Sequence, residues 1–452
     1  MMTAMEVIAF KRKPSRPAPR GTTGALGWLR AQLFYSWWST ILTLTVGYVL
    51  VSLLVNLYGW GIADAVWKAD SRRQCLDESP YGACWAGIRT WFGSFLYGRY
   101  PESERWRVDV SFVILVLWLL PLWLGRVRAK AIIGITAALV FPFLASYLLS
   151  GGERGWIMQV MVPLAVAVFV FNWLHVALCL CTDQSMASWL SRLSGVGKKS
   201  TQSKTITLIS ACAALTAIVG LLLSDWSVVR IRTNLWGGLF VTFLITGVGV
   251  VASLPGGIAL ALMRRSRMPF LRACAITYIE LVRSVPLITV LFFAVTMTPL
   301  FLPPDMAPNK LVLVLVAVSL FSAAYMAEVV RGGLAAIPLG QLEAAQSIGL
   351  GYGHTMGLIM LPQALRHMIP NIASQYIGLL KDTTVVAIVG LYDFLLMLRA
   401  SGQNSVWIGF HIEPFVFGGA IYFSLCFAIS RYSKSLESRA GRAANVGIKP
   451  PW

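Results

Sequence analysis

Charge is what this sequence has least of. Only 13% of its 452 residues are Asp, Glu, Lys or Arg, about half the share of an ordinary soluble domain. Acidic residues are the scarcer kind, 19 against 38 Lys and Arg, for a net charge of +19. Histidine occurs four times, at His175, His354, His367 and His411, in no metal-ligand spacing. Cysteine occurs seven times, too few for a disulfide-built secreted module. Cys179 and Cys181 end an apolar run with no His or acidic cluster beside them and read as small buried residues. Phosphate-binding glycine motifs also fail. Gly197-Lys198-Lys199-Ser200 has Arg192 where a P-loop needs its first Gly, and no Ser or Thr directly after the Lys. Gly349-Leu350-Gly351-Tyr352-Gly353-His354 lacks the third Gly of a dinucleotide fingerprint. These absences exclude a soluble enzyme, a disordered chain and a resident nucleotide site.

What the chain has is apolar residues, 57% of the total. One soluble core cannot hide that much apolar surface. A span of the hydrocarbon core takes about 20 apolar residues, and ten stretches approach that length: 37–58, 109–125, 131–150, 157–181, 205–224, 236–262, 270–298, 311–330, 369–390 and 407–430. The fourth and seventh are long enough to be tilted or kinked. The reading is an all-α polytopic membrane protein of about ten transmembrane helices.

Charge placement sets the orientation. Lys11, Arg12, Lys13, Arg16, Arg20 and Arg30 precede the first span. Counting alternately, the same side receives Arg126, Arg128 and Lys130, then Arg192, Lys198, Lys199 and Lys204, then Arg264, Arg265, Arg267 and Arg272, and finally Arg431, Lys434, Arg439, Arg442 and Lys449. The long loop 59–108 on the other side mixes Lys68, Arg72 and Arg73 with Asp64, Asp70, Asp77, Glu78, Glu102 and Glu104. Both termini are therefore expected in the cytoplasm. The basic loops answer to the membrane and need no nucleic-acid partner, since aromatics are not interleaved among them. No cleavable signal peptide is expected. Cys75 and Cys84 share the outside loop, where an oxidising compartment either bridges them or leaves two thiols.

One inside loop departs from the basic pattern. Residues 341–348 are good helix formers, ended by Gly349. Ile359, Leu361 and Pro362 then restart a helix that returns to the membrane. The product is a short exposed helix with Ala344 and Ala345 making one side small and Glu343 adding an anionic point. Glu343-Ala344-Ala345, three residues, Gly349, nine residues, Ile359, one residue, Leu361-Pro362 is the pattern of the EAA loop, and the chain resembles bacterial ABC importer permeases at every specified position. Tyr278-Ile279-Glu280-Leu281-Val282-Arg283-Ser284-Val285-Pro286-Leu287, Ala324 to Gly333 and Lys381-Asp382-Thr383-Thr384 resemble the polar amino-acid (histidine/glutamine-type) subfamily, with Ser284-Val285 where its usual form has Gly-Thr. The long N-terminal half resembles the larger, M-type permease subunit of general L-amino-acid systems.

The resemblance implies a type I importer permease core at 230–437 with a coupling loop at 332–366. It also implies a transmembrane extension at 37–229 and cytoplasmic tails at 1–36 and 438–452. It implies a translocation subunit, not an enzyme, in a bacterial inner membrane. It further implies a second permease in a heterodimer, an ATPase pair carrying the ATP and Mg, and a periplasmic amino-acid-binding protein. No cofactor belongs to this chain. Glu343, Ala344, Ala345 and Gly349 would dock the ATPase, and Ile359, Leu361 and Pro362 would anchor the return path. Charges inside spans are costly and usually paired or functional. Glu280 and Arg283, at i,i+3, either neutralise each other or line the path of an amino-acid substrate. Glu328 and Arg331 read as a structural ion pair. Asn371, Gln375, Lys381, Asp382, Thr383 and Thr384 offer a zwitterion both charges along one span. A secondary transporter driven by an ion gradient is the rival. It would show inverted repeats, which the sequence does not display, and would leave the loop without a use. A membrane-bound enzyme would need a clustered nucleophile, metal site or carboxylate pair, and none is seen.

Overall fold

The computed structural model describes residues 24–124, 127, 130–152, 156–182, 216, 218, 228–303 and 308–446. All of the expected span at 205–224 except residues 216 and 218, and most of the basic tail and loop residues counted above, lie outside these residues. Among those described, eight helices are long and apolar enough to cross a membrane, or nine with one bent pair counted as a single span. All nine coincide with stretches expected from the sequence, and the architecture is an all-α polytopic membrane protein.

The chain divides into two compact units, residues 1–87 and 88–452. In the first, α1 (Trp37–Tyr58) has no buried residue. Its threonines return hydroxyl bonds to backbone carbonyls, as polar side chains do in apolar helices. Cys75 and Cys84 are joined by a disulfide and both are buried. Trp85 packs on Trp60 and Trp67 and donates its indole N–H to the Gly61 carbonyl at 2.8 Å.

Helix α2 (Trp85–Tyr97), all but its first three residues in the second unit, leads into α3 (Trp106–Leu119). Then follow α4 (Lys130–Leu139), α5 (Phe141–Ser150) and α6 (Trp156–Thr182). Arg107 is fully buried and fastens this group: its Nε donates to the Leu148 carbonyl at 2.6 Å and its Nη1 to the Val229 carbonyl at 2.9 Å. A buried charge needs such partners to be tolerated.

The remaining spans are α7 (Gly238–Arg264), the pair α8 (Pro269–Ser284) and α9 (Leu287–Phe292), α10 (Lys310–Ala335), α13 (Ile369–Asp382) and α15 (Ile412–Val446). Between them lie the short helices α11 (Leu339–Ser347), α12 (Leu361–His367) and α14 (Phe394–Ser401). The α8–α9 span bends by 105°. Pro286 fixes its own φ at −60° and holds Val285 extended at φ −107°, ψ 134°, which ends one helix and starts another. Helices α7 and α10 approach closely because Gly257 faces Met326, where a Cβ would come within 2.7 Å of the side chain.

At the end of the bundle away from the α10–α11 loop, three distant segments meet backbone to backbone. Gly98 pairs with Trp236, Gly237 with Tyr392, and Gly238 with Asp393. A Cβ on Gly98 would stand 2.3 Å from the Gly237 Cα, and Gly98 itself has φ +67°, so only glycine fits there.

Asp393 completes the junction. It is fully buried, and its carboxylate caps α14 by accepting from the Leu395 and Leu396 amides at 3.2 and 3.0 Å. Burial outweighs these bonds and the nearby Arg399 and pushes its carboxyl up to about 6. The folded protein thus holds this proton more tightly than the unfolded chain, whose carboxyl titrates near 4. The stabilisation is fully present below about pH 4 and is lost as pH rises through about 6. Asp393→Asn keeps a capping side chain and removes the charge. The wild type should lose on the order of 2 kcal/mol relative to this variant between pH 4 and 7. Thermal unfolding of both proteins across that range in nanodiscs measures it; parallel curves would show that Asp393 does not titrate there.

Candidate functional site

The loop after α10 forms as its sequence dictates. Pro338 precedes α11 and sets its entry. At the other end Gly349 takes φ +77°. Its amide donates to the Gln346 carbonyl at 3.0 Å, and the Leu350 amide donates to Ala345 at 3.1 Å. These two bonds make the Schellman closure that glycine favours at a helix end. The two alanines of α11 part company. Ala345 is buried and its neighbour Leu342 packs against the cluster of Leu334, Ile337 and Met360, while Glu343 and Ala344 are exposed. Leu339, Ile348, Tyr352 and Leu358 also stand exposed on the loop. The sequence pattern did not single out these four; their signal was apolar residues in an otherwise polar turn. On the return path Thr355–Met360 widens to a π-helical turn. Leu361 is half-buried against the same apolar cluster, Ile359 accepts a 3.0 Å bond from the Gln363 amide, and Pro362 is exposed in the first turn of α12.

Above this loop sits an ionic network centred on Glu328. Its carboxylate lies 2.7 Å from Arg264, 2.8 Å from Arg331 and 3.9 Å from Arg283. Glu280 reaches Arg264 at 3.1 Å. The bonding across helices ties α7, α8 and α10 together. Spacing along one helix suggested an Glu280–Arg283 pair; in the fold both residues turn to partners on neighbouring helices.

A cavity of about 320 Å³ lies at the α8–α9 bend, between α7, α10 and α13. Its polar lining is Ser253, Ser322, Tyr325, Gln375, Tyr376 and Asp382, with Pro286 and Phe321 among its apolar walls. Of the sequence candidates it takes in Gln375 and Asp382. The others stand elsewhere. Asn371 donates to the Met368 sulfur at 3.2 Å, and Lys381 is exposed off the cavity. Thr383 and Thr384 donate to the carbonyls of Leu380 and Lys381 at 2.7 and 2.8 Å. Glu280 and Arg283 belong to the ionic network, and Arg283 also stacks 5.5 Å over the Tyr325 ring. Asp382 is the one carboxylate lining the cavity among the described residues.

Residues 253–442, which hold the loop, the network and the cavity, match the family described as the binding-protein-dependent transport system inner membrane component. Over 426 residues the chain is 34% identical to the inner membrane amino-acid ABC transporter permease protein YhdY of Escherichia coli (strain K12), covering 94% of this chain and 96% of that one. The chain belongs to the amino-acid ABC transporter permeases. A second relative of this permease is the glutamate/glutamine/aspartate/asparagine transport system permease protein BztC of Rhodobacter capsulatus, 36% identical over 438 residues, with 94% of this chain and 96% of the relative covered. The glutamate/aspartate import permease protein GltK of Escherichia coli O157:H7 is 34% identical over 221 residues, 48% of this permease and 97% of GltK. The permease is thus a multi-pass inner membrane protein with a helical stretch that relatives of GltK's length do not share.

Proposed function

We propose that this permease carries amino acids through the bilayer by alternating access, driven by a separate ATPase that grips helix α11. One observation carries the reading. The apolar cluster on which Leu342 of α11 packs includes Met326 and has Tyr376 packed against it, and both Met326 and Tyr376 also line the cavity. A push on α11 therefore reaches the cavity wall through contiguous packed side chains, without passing through lipid. Glu343, Ala344 and the exposed Ile348 form the face offered to the ATPase; Ala345, Ile359, Leu361 and Pro362 hold the lever to the permease.

The cavity suits an α-amino acid. Asp382 offers a carboxylate to the α-ammonium, and Gln375, Ser253 and Ser322 offer hydrogen bonds to a polar side chain. The names of BztC and GltK, which mention acidic and amide amino acids, support that class, within a broad range of L-amino acids. A second permease subunit would complete the pathway, and a periplasmic binding protein would deliver the substrate.

Reconstitution tests the reading. Proteoliposomes holding this permease, its partner permease and the ATPase pair, supplied with the binding protein, should take up labelled glutamate or glutamine only with ATP inside the ATPase compartment. Uptake by this chain alone, driven by a proton or sodium gradient, would reject it in favour of a secondary transporter.

A further inference from the structure

A second opening lies at the end of the bundle that carries the α10–α11 loop. It holds about 350 Å³ and is lined by Arg264, Arg265, Arg272, Arg331, Ile276 and Ala335. Four guanidinium groups converge there from α7, the α7–α8 turn, α8 and α10. Arg264 and Arg331 share Glu328, but Arg265 and Arg272 have no ion-pair partner among the described residues. Like charges this close repel, and nothing within the described fold offsets the two unpaired ones. Phosphate oxygens would, because a guanidinium fork matches them in pairs.

The setting identifies the source of the phosphate. The opening lies where α7 and α10 leave the apolar zone and α8 enters it. Its floor, Ile276 and Ala335, is apolar. Met268 and Phe270 beside it are 63% and 76% exposed, as residues facing acyl chains would be. A soluble anion has no use for that apolar surround, whereas a lipid whose headgroup sits at the bilayer boundary uses both parts. We propose that this arginine pocket binds the phosphate of an anionic phospholipid from the leaflet on the side of the α10–α11 loop. The bound lipid neutralises the repulsion around Glu328 and so steadies the joint between α7, α8 and α10.

The test uses the assembled transporter in nanodiscs of phosphatidylcholine and phosphatidylglycerol in equal parts, followed by mild extraction and mass spectrometry of the lipid retained. The wild type should keep phosphatidylglycerol in preference to phosphatidylcholine. Arg265→Gln with Arg272→Gln should lose that preference by about fivefold or more, with elution volume and basal ATPase rate unchanged. Arg267→Gln, which removes a neighbouring charge outside the pocket, should keep it. Equal retention by the double variant and the wild type overturns the proposal, as does an equal loss in Arg267→Gln or no preference in the wild-type assembly. Displacement of the lipid by millimolar inorganic phosphate at constant ionic strength also overturns it, making the ligand a soluble anion.

Discussion

Asp382→Asn should cut uptake by about a hundredfold, a loss of roughly 3 kcal/mol, within the range for leaving one partner of a desolvated charge pair unmatched. Asparagine has the size of aspartate, so the cavity of about 320 Å³ keeps its shape. What disappears is the carboxylate that Asp382 contributes to its lining. A zwitterion entering would bring its ammonium to a site whose lining offers only neutral acceptors. Gln375→Ala should cost less, about threefold to tenfold, the usual worth of a neutral hydrogen bond. Initial rates of labelled amino-acid uptake, with ATPase rates measured on the same proteoliposomes, separate substrate loss from misfolding. ATP hydrolysis should continue in both variants. Unchanged affinity in Asp382→Asn would take this residue off the path and leave selection to the binding protein.

Gly349→Asp should block coupled uptake by a different route. The position is open, with no atom within 4 Å of where a Cβ would stand, so the side chain meets no clash. The backbone cost is that of a non-glycine residue at φ +77°, about 1 kcal/mol. The chain should therefore insert and assemble its helices. The new carboxylate, however, projects from the end of α11 beside the exposed Ile348, onto the surface proposed to meet the ATPase. An unpaired charge in a desolvated interface costs about 2–5 kcal/mol, enough to reduce ATPase retention by more than tenfold. Gly349→Ala is the control: it pays the same backbone cost without the charge and should keep most of the uptake. Copurification of the ATPase with each variant is the readout. Equal retention by both would place the docking surface elsewhere. Glu343→Lys reverses the anionic point on the same face and should behave like the aspartate variant.

The spans were legible because apolar length is a local property. Each run of about twenty residues must satisfy its backbone internally, so composition alone marks it. The seventh stretch, read as long enough to be tilted or kinked, does bend, by 105° at Val285-Pro286, but the place and angle of the bend were not read from the sequence. The loop was legible for a related reason: the closure at Gly349 uses only neighbouring carbonyls. Contacts between helices were not legible. Ser253, Ser322 and Tyr325 share a cavity with Asp382 because of crossing geometry, and nothing in their own surroundings in the sequence marks them. Glu280 illustrates the same limit. Its spacing to Arg283 suggested a local pair, and Arg264, on another helix, takes it at 3.1 Å. Ala344 and Ala345 read as one small face, yet in the fold Ala345 is buried and Ala344 is exposed.

The glycine junction also governs the order of assembly. Gly98, Gly237 and Tyr392 emerge from the ribosome far apart in time, and their backbones can lock only when the last of them has been made. Until then the early helices wait in the lipid with an open seam, held by Arg107 and their own packing. A chain truncated before residue 392 would never close it, and a quality-control protease would find the seam still exposed.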